Sequence, residues 1–277
     1  MSAAENPKPN WGTCYRLTAA ERWRTKSAYM GGDVTAALVE YAKPQPGMRI
    51  LDLASGTGEP AISLAKRVGA SGHVTALDLS ADLLEIAAGR ARHKKLTNFS
   101  TRQANAQSMP FPDASFDLVT SRMGVMFFAV PGLREAYRVL KPGARGCFLA
   151  WGPFDQPYWA STMAVAHKRV GGPLLPAGHN PFRYSDPQEL ASALTETEFQ
   201  SVEAEARTLP WTWNGPPEEV WEYVQSVAAP FQAMLERIPP ETKPEIDKAV
   251  HEAIRHYQDG DCVKFTAAVV LASGTRP

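Results

Sequence analysis

The 277-residue chain reads as an α/β protein built on a doubly wound, mostly parallel sheet, with an N-terminal helical arm and a helical cap inserted before the last strand. Three observations carry this reading. Short apolar runs alternate with segments of helical periodicity from Met48 to Trp151. The first run, Ile50-Leu-Asp52-Leu-Ala54, leads through Ser-Gly56-Thr-Gly58 into a helix opening at Glu59-Pro60. A second run, Val74 to Asp78, ends in a carboxylate twenty residues past Gly58. Strand, glycine turn, helix and acid-tipped strand make a nucleoside-binding half-site.

The elements follow in order. Residues 1–45 form the arm, rich in aromatic bulk (Trp11, Tyr15, Trp23, Tyr29) and closed by Pro44-Gln-Pro46-Gly47. Residues 46–151 form the core. The first strand is Met48 to Leu53. A helix from Pro60 to about Val68 carries Ile62, Leu64, Ala65 and Val68 at helical spacing. Val74 to Asp78 is the second strand, and Ser80 caps a helix over Asp82 to Arg92. A short strand lies near Phe99 to Arg102, and Phe116 to Ser121 is the fourth. A helix from Leu133 to Leu140 is stopped by Pro142-Gly143, and Arg145 to Trp151 is the fifth strand.

Residues 152–262 read as a substrate-side cap and insertion. Tyr158 to Val170 is a helix, followed by a breaker-rich loop from Gly171 to Pro181. Ser185 or Asp186 caps a further helix, and Ser201 to Trp213 alternates as a sixth strand. Asn214-Gly-Pro-Pro217 opens a helical insertion in which Ile246, Ala249, Val250, Ala253, Ile254 and Tyr257 share one face. Residues 263–277 hold the last strand, Val263 to Ala272.

The glycine turn also matches the dinucleotide fingerprint, but its charges argue against a diphosphate. Glu59 puts a carboxylate at the helix start, and two like charges there would repel by on the order of several kcal/mol. Pro60 offers no N–H, and Asp52 adds negative charge at the strand end. A cationic nucleoside without phosphates fits better, and S-adenosylmethionine is one. Asp52 would then lie near its methionine end, and Asp78 would accept from the ribose hydroxyls.

From these residues outward the chain resembles the class I S-adenosylmethionine-dependent methyltransferases, whose fold is Rossmann-like. The resemblance covers about residues 30–151 and returns at the last strand. Leu51-Asp-Leu-Ala-Ser-Gly-Thr-Gly58 is similar to their first motif, with Ala54 where the first glycine usually stands. The turn should therefore hold Ala54 at negative φ. Ala104-Asn105-Ala106 and the run to Arg122 are similar to the family's adenine-side segment and fourth strand, and Arg138-Val-Leu-Lys-Pro-Gly143 to the loop before the fifth. The subgroup it looks most like is the ubiquinone/menaquinone-biosynthesis type. The resemblance implies cofactor contacts from Asp52, Ala54, Gly56, Gly58, Asp78, Leu79, Asn105, Ala106 and Ser121.

Lys and Arg (29) balance Asp and Glu (29), and no basic stripe invites nucleic acid. No apolar stretch spans a membrane and no signal peptide opens the chain, so the expectation is a cytoplasmic protein without membrane insertion. Cys14, Cys147 and Cys262 lack metal-ligand spacing, and Cys147 lies in an apolar strand as inert packing. No metal is expected, since the histidines are scattered. Tyr137 and Lys141 form a reductase-like Y-x-x-x-K pair, better read as a helix end with a cation on its dipole.

All seven tryptophans lie outside residues 46–150, so the aromatic rings gather where an acceptor would bind. The expected function is in-line methyl transfer to a small hydrophobic or aromatic acceptor, at O or C. His179 is the candidate base, with His167 the alternative. The arm and the 214–260 insertion are expected to act as a lid, and a homodimer is allowed for. Two other classes stay open: a non-catalytic S-adenosylmethionine-binding module and an NAD(P)-dependent oxidoreductase.

Overall fold

The run Arg49–Leu53, here β1, is apolar because it is central: Ile50, Leu51 and Leu53 have no exposed surface. In this computed structural model, which describes residues 22–128 and 130–277, β1 pairs in parallel with β2 (His73–Asp78) on one side and β4 (Phe116–Arg122) on the other. The strands β3 (Phe99–Gln103) and β5 (Leu140–Trp151) extend the parallel sheet outward, and β8 (Cys262–Thr275) adds antiparallel to β5. With β6 (Gln200–Asn214) the order is β3-β2-β1-β4-β5-β8-β6, and β7 (Gln258–Asp259) pairs with β8 off this path. The expectations on Trp11, Cys14 and Tyr15 lie outside the described residues.

The chain divides into two units. The larger comprises Gly31–Phe154, Pro181–Trp211 and Ala267–Pro277. Among the described residues the smaller comprises residues 22–30, Asp155–Asn180 and Thr212–Thr266. These boundaries differ from those read in the sequence. The arm divides at Met30, between α1 (Arg24–Met30) and α2 (Gly32–Ala42). Helix α2 buries Val34, Leu38 and Ala42 and packs on β4 and β5, so it belongs with the sheet.

In the larger unit, α3 (Ala61–Val68) and α4 (Ala81–His93) make the crossovers β1-α3-β2-α4-β3, and α5 (Val130–Val139) links β4 to β5. Strand progression runs one way from β1 to β3 and the other way from β4 to β5. Right-handed crossovers therefore put α3 and α4 on one face and α5 on the other. The reversal falls between β1 and β4, and a crevice opens outside the carboxyl ends of such strands. Ser80 caps α4 as expected, accepting from Leu83 N at 3.3 Å. Asp186 caps α8 (Pro187–Glu196).

Two local expectations fail. Helix α5 gives way directly to β5 at Leu140, with no separate turn at Pro142-Gly143. Leu140 pairs with Phe116, the register shifts, and Arg145 pairs with Leu118, so the proline and glycine occupy an irregular strand start. The helix read over Tyr158–Val170 is two, α6 (Pro157–Ala160) and α7 (Met163–Val170). The hydroxyls of Ser161 and Thr162 donate back to the carbonyls of Pro157 and Tyr158, at 2.8 and 2.6 Å, and break the run.

The smaller unit is helical and aromatic. Helix α11 (Lys243–Arg255) buries Ile246, Val250 and Ile254 and packs on α7 and on α9 (Pro217–Val227). The short helix α10 (Gln232–Leu235) also packs on α7. Trp159 stacks on Phe231 with centroids 5.2 Å apart, and Trp23 meets Trp213 edge-on at 5.4 Å. Glu219 accepts from both Lys26 and Trp213 Nε1, and Trp221 Nε1 donates to Asp247 at 2.7 Å. The indole N–H groups of Trp213 and Trp221 are thus satisfied.

Candidate functional site

Beyond β1 the chain turns tightly under three successive constraints. Ser55 N donates to Leu77 O at 3.0 Å, Gly56 N to Asp78 Oδ2 at 2.8 Å, and Gly58 N to Ser55 O at 2.9 Å. Ala54 has φ +53°, not the negative value expected. A left-handed alanine costs about 1–2 kcal/mol, offset here by the hydrogen bonds that fix the turn. Gly124 makes room for it. A Cβ at residue 124 would fall 2.6 Å from Ala54 Cβ and 2.7 Å from Ser121 Oγ.

Gly56 and Gly58 differ in role. Both have positive φ, +52° and +110°. A Cβ at Gly56 would meet nothing within 4 Å, so this is the glycine beside open space. A Cβ at Gly58 would strike Ile62 Cδ1 at 2.7 Å and Ala87 Cβ at 3.2 Å. The missing Cβ of Gly58 lets the turn pack closely on the helix.

Asp52 is fully enclosed. Thr120 Oγ1 donates to its Oδ1 at 2.7 Å and Ser55 Oγ to its Oδ2 at 2.7 Å. Burial pushes its pKa up to about 7, against the pull of these hydroxyls and of the Arg122 guanidinium. The carboxyl expected beside a ligand's methionine end is thus a brace inside the turn. Ser121 is likewise enclosed and donates to Leu53 O at 3.0 Å, tying β4 to β1. Thr120 and Arg122 escaped sequence reasoning. The one available signal was that Thr120 follows the apolar pair Leu118-Val119 within a strand.

Asp78 closes β2 and is 8% exposed. Its Oδ2 takes the Gly56 amide and its Oδ1 the Ser80 amide at 3.0 Å, leaving further lone pairs for a ligand's hydroxyls. Leu79 beside it is one of two large hydrophobics well exposed among the described residues. Helix α3 begins at Ala61 with Pro60 as N-cap, one residue later than expected. Glu59 closes its N-terminus, accepting from Ser63 N at 3.2 Å.

Asn105 follows β3, and its Oδ1 accepts from Gln107 N at 2.9 Å in a tight turn. Ala106 is buried. The crevice end of the larger unit therefore gathers the 54–58 turn, Asp78, Leu79 and Asn105. His179 lies in the smaller unit, in the loop after α7, where Nδ1 donates to Ala177 O at 3.2 Å. His167 Nε2 donates to Gly172 O at 2.8 Å. Burial pushes the Cys147 thiol up to about 12, as befits inert packing. Among the described residues no cluster of His, Cys, Asp or Glu could hold a metal, and no helix is long and apolar enough to cross a membrane.

Residues 50–143 match the Methyltransferase domain family. This stretch is similar to methyltransferase domains. It is 41% identical over 128 residues to the Ubiquinone/menaquinone biosynthesis C-methyltransferase UbiE of Rhizobium leguminosarum bv. trifolii, covering 44% of this chain and 49% of that protein. The chain thus spans about half the length of the curated relatives it matches. Among solved structures, a candidate methyltransferase from Bacillus halodurans superposes with a TM-score of 0.58 at 23% identity, over 88% of this chain and 98% of that one. The Haemonchus contortus phosphoethanolamine N-methyltransferase 2, solved with S-adenosyl-L-methionine, gives 0.54 at 17% identity, over 98% and 62%. The chain has the class I Rossmann-like fold that the sequence predicts.

Proposed function

We propose that the protein is an S-adenosylmethionine-dependent methyltransferase acting on a small hydrophobic acceptor. The observation that carries this is the carboxylate pair at the 54–60 turn. Asp78 is aimed by the Gly56 and Ser80 amides, and Glu59 already occupies the helix N-terminus. That end of α3 is where a dinucleotide's diphosphate would need free N–H groups. A nucleoside that carries positive charge and no phosphate suits these residues. The match of residues 50–143 supports the same reading.

Held there, S-adenosylmethionine would supply a methyl group already activated by its sulfonium. The chain's part is placement. Asp78 would accept from the ribose hydroxyls, Gly56 would let backbone close on the ligand, and Leu79 and Asn105 would flank the base. The UbiE relatives are named as C-methyltransferases of quinone biosynthesis, which suggests a hydroquinone-like acceptor whose ring carbon must lose a proton. His179 is the base we propose: its Nδ1–H is committed to Ala177 O, so the neutral ring keeps Nε2 as the basic nitrogen.

Calorimetry with S-adenosylhomocysteine and with NADH tests the cofactor. Binding of the first alone is expected, and uptake of NADH alone would overturn the reading. Label transfer from methyl-labelled cofactor to 1,4-naphthohydroquinone then separates an enzyme from a binding module. His179→Ala should lower turnover with S-adenosylhomocysteine affinity unchanged.

A further inference from the structure

One ion pair outside the turn is built far more heavily than a surface pair needs. Glu135 and Arg138 stand three residues apart on α5 and clasp each other at 2.6 and 2.8 Å. Both then reach across to the segment that follows β3. Glu135 Oε2 accepts the Met109 amide at 2.6 Å. Arg138 Nη2 donates to Met109 O at 3.1 Å, and Nη1 to Phe111 O at 2.8 Å and Asp113 Oδ1 at 2.7 Å. One residue's amide and carbonyl are thus both held by the same pair. Phe111 adds an edge-on ring contact with Phe116 of β4 at 5.1 Å.

The clasped segment begins at Asn105 and Ala106. Asn105 makes its own turn with Gln107, and a bridge joins Asn105 to Ser108, the residue before Met109. Any shift of Met109 is therefore passed to Asn105 through three residues of closed turn. Arg138 is also suited to the task chemically. Its rigid fork can serve two carbonyls and two carboxylates at once, which a lysine cannot.

We propose that Glu135 and Arg138 are positioning residues that set how strictly the Asn105–Ala106 turn discriminates the base of the bound nucleoside. The proposal rests on the cofactor reading above. Neither residue touches the ligand; they fix the turn that does. The Arg138 hydrogen bonds hold the Glu135 carboxyl below the usual range.

The experiment compares S-adenosylhomocysteine with S-inosylhomocysteine, in which hypoxanthine replaces adenine, by calorimetry on the full chain. Wild type should prefer the adenine ligand, because a turn built to pair with one base leaves groups unpaired against the other. Glu135→Gln and Arg138→Lys should each shrink that preference about tenfold, mainly by weakening the adenine ligand. Lys141→Gln breaks a neighbouring ion pair, Lys141–Asp117 at 2.7 Å, and should leave the ratio unchanged. Equal weakening of both ligands, an unchanged ratio in both clasp variants, or no preference in wild type would each overturn the proposal. Hydrogen exchange over residues 104–113 of wild type gives a second readout that needs no variant. S-adenosylhomocysteine should protect this segment, and absence of protection also overturns the idea. If wild type binds no S-adenosylhomocysteine, the cofactor reading itself falls.

Discussion

The Asp78 carboxylate receives the amide hydrogen of Gly56 from across the turn, 22 residues away in sequence, at 2.8 Å. The same side chain therefore shapes the turn from the carboxyl end of β2. Asp78→Ala should cost more than one ligand contact. We expect roughly 1–3 kcal/mol from fold stability through the lost charge-assisted bonds, and a comparable further loss of S-adenosylhomocysteine affinity. Urea unfolding and calorimetry on the same variant separate the two. Loss of affinity with full stability would mean that Gly56 needs no such anchor.

The two glycines of the turn should part company under substitution. Gly56→Ala puts a methyl into open space at a φ of +52°, so the fold should survive with about 1–2 kcal/mol lost while ligand binding collapses. Gly58→Val drives atoms into Ile62 and Ala87 and should destabilise by about 3 kcal/mol or more, ligand or no ligand. Melting temperatures of both variants without ligand test the ranking, and the reverse order would sink it.

Asp52 ties stability to pH. In the unfolded chain its carboxyl ionises near pH 4, whereas in the fold it keeps its proton until about 7. Between these values the folded state holds the extra proton. The contribution is full below pH 4, falls as pH rises through about 7, and then stays lost. It amounts to at most about 4 kcal/mol. Asp52→Asn should flatten that slope and be better tolerated at pH 8 than at pH 5. Denaturant midpoints at the two pH values measure this, and parallel slopes in wild type and variant would contradict it.

Tyr184 is buried in the larger unit with no hydrogen-bond partner for its hydroxyl among the described residues, and burial raises its pKa. An unpaired buried hydroxyl costs about 1–3 kcal/mol. Tyr184→Phe should therefore leave stability unchanged or raise it by about 1 kcal/mol. A lowered melting temperature would show that the hydroxyl has a partner in solution.

The parallel core was legible because its central strands carry apolar runs, and Asp78 stood at the end of one. The boundaries around it were not. Helix α2 belongs with the sheet, yet nothing in Gly32–Ala42 taken alone says which surface its Val34–Leu38–Ala42 stripe will meet. Ala54 misled for a related reason. Local sterics argue for negative φ, but the turn's hydrogen bonds and the notch at Gly124, seventy residues on, decide otherwise. In the candidate site, Asp52 stands at the turn and is fully enclosed. Its burial depends on Thr120, whose partner no spacing rule reveals. The Glu135–Arg138 clasp was visible only as a helical i,i+3 pair, because its other partners are main-chain atoms.

Glu59 has one more consequence. By seating its own carboxylate on the Ser63 amide, the chain plugs the socket that pyridine-nucleotide enzymes of similar winding leave vacant for pyrophosphate. Converting this scaffold to hydride chemistry would first require unplugging it, and a single change at position 59 is where such a redesign would have to begin.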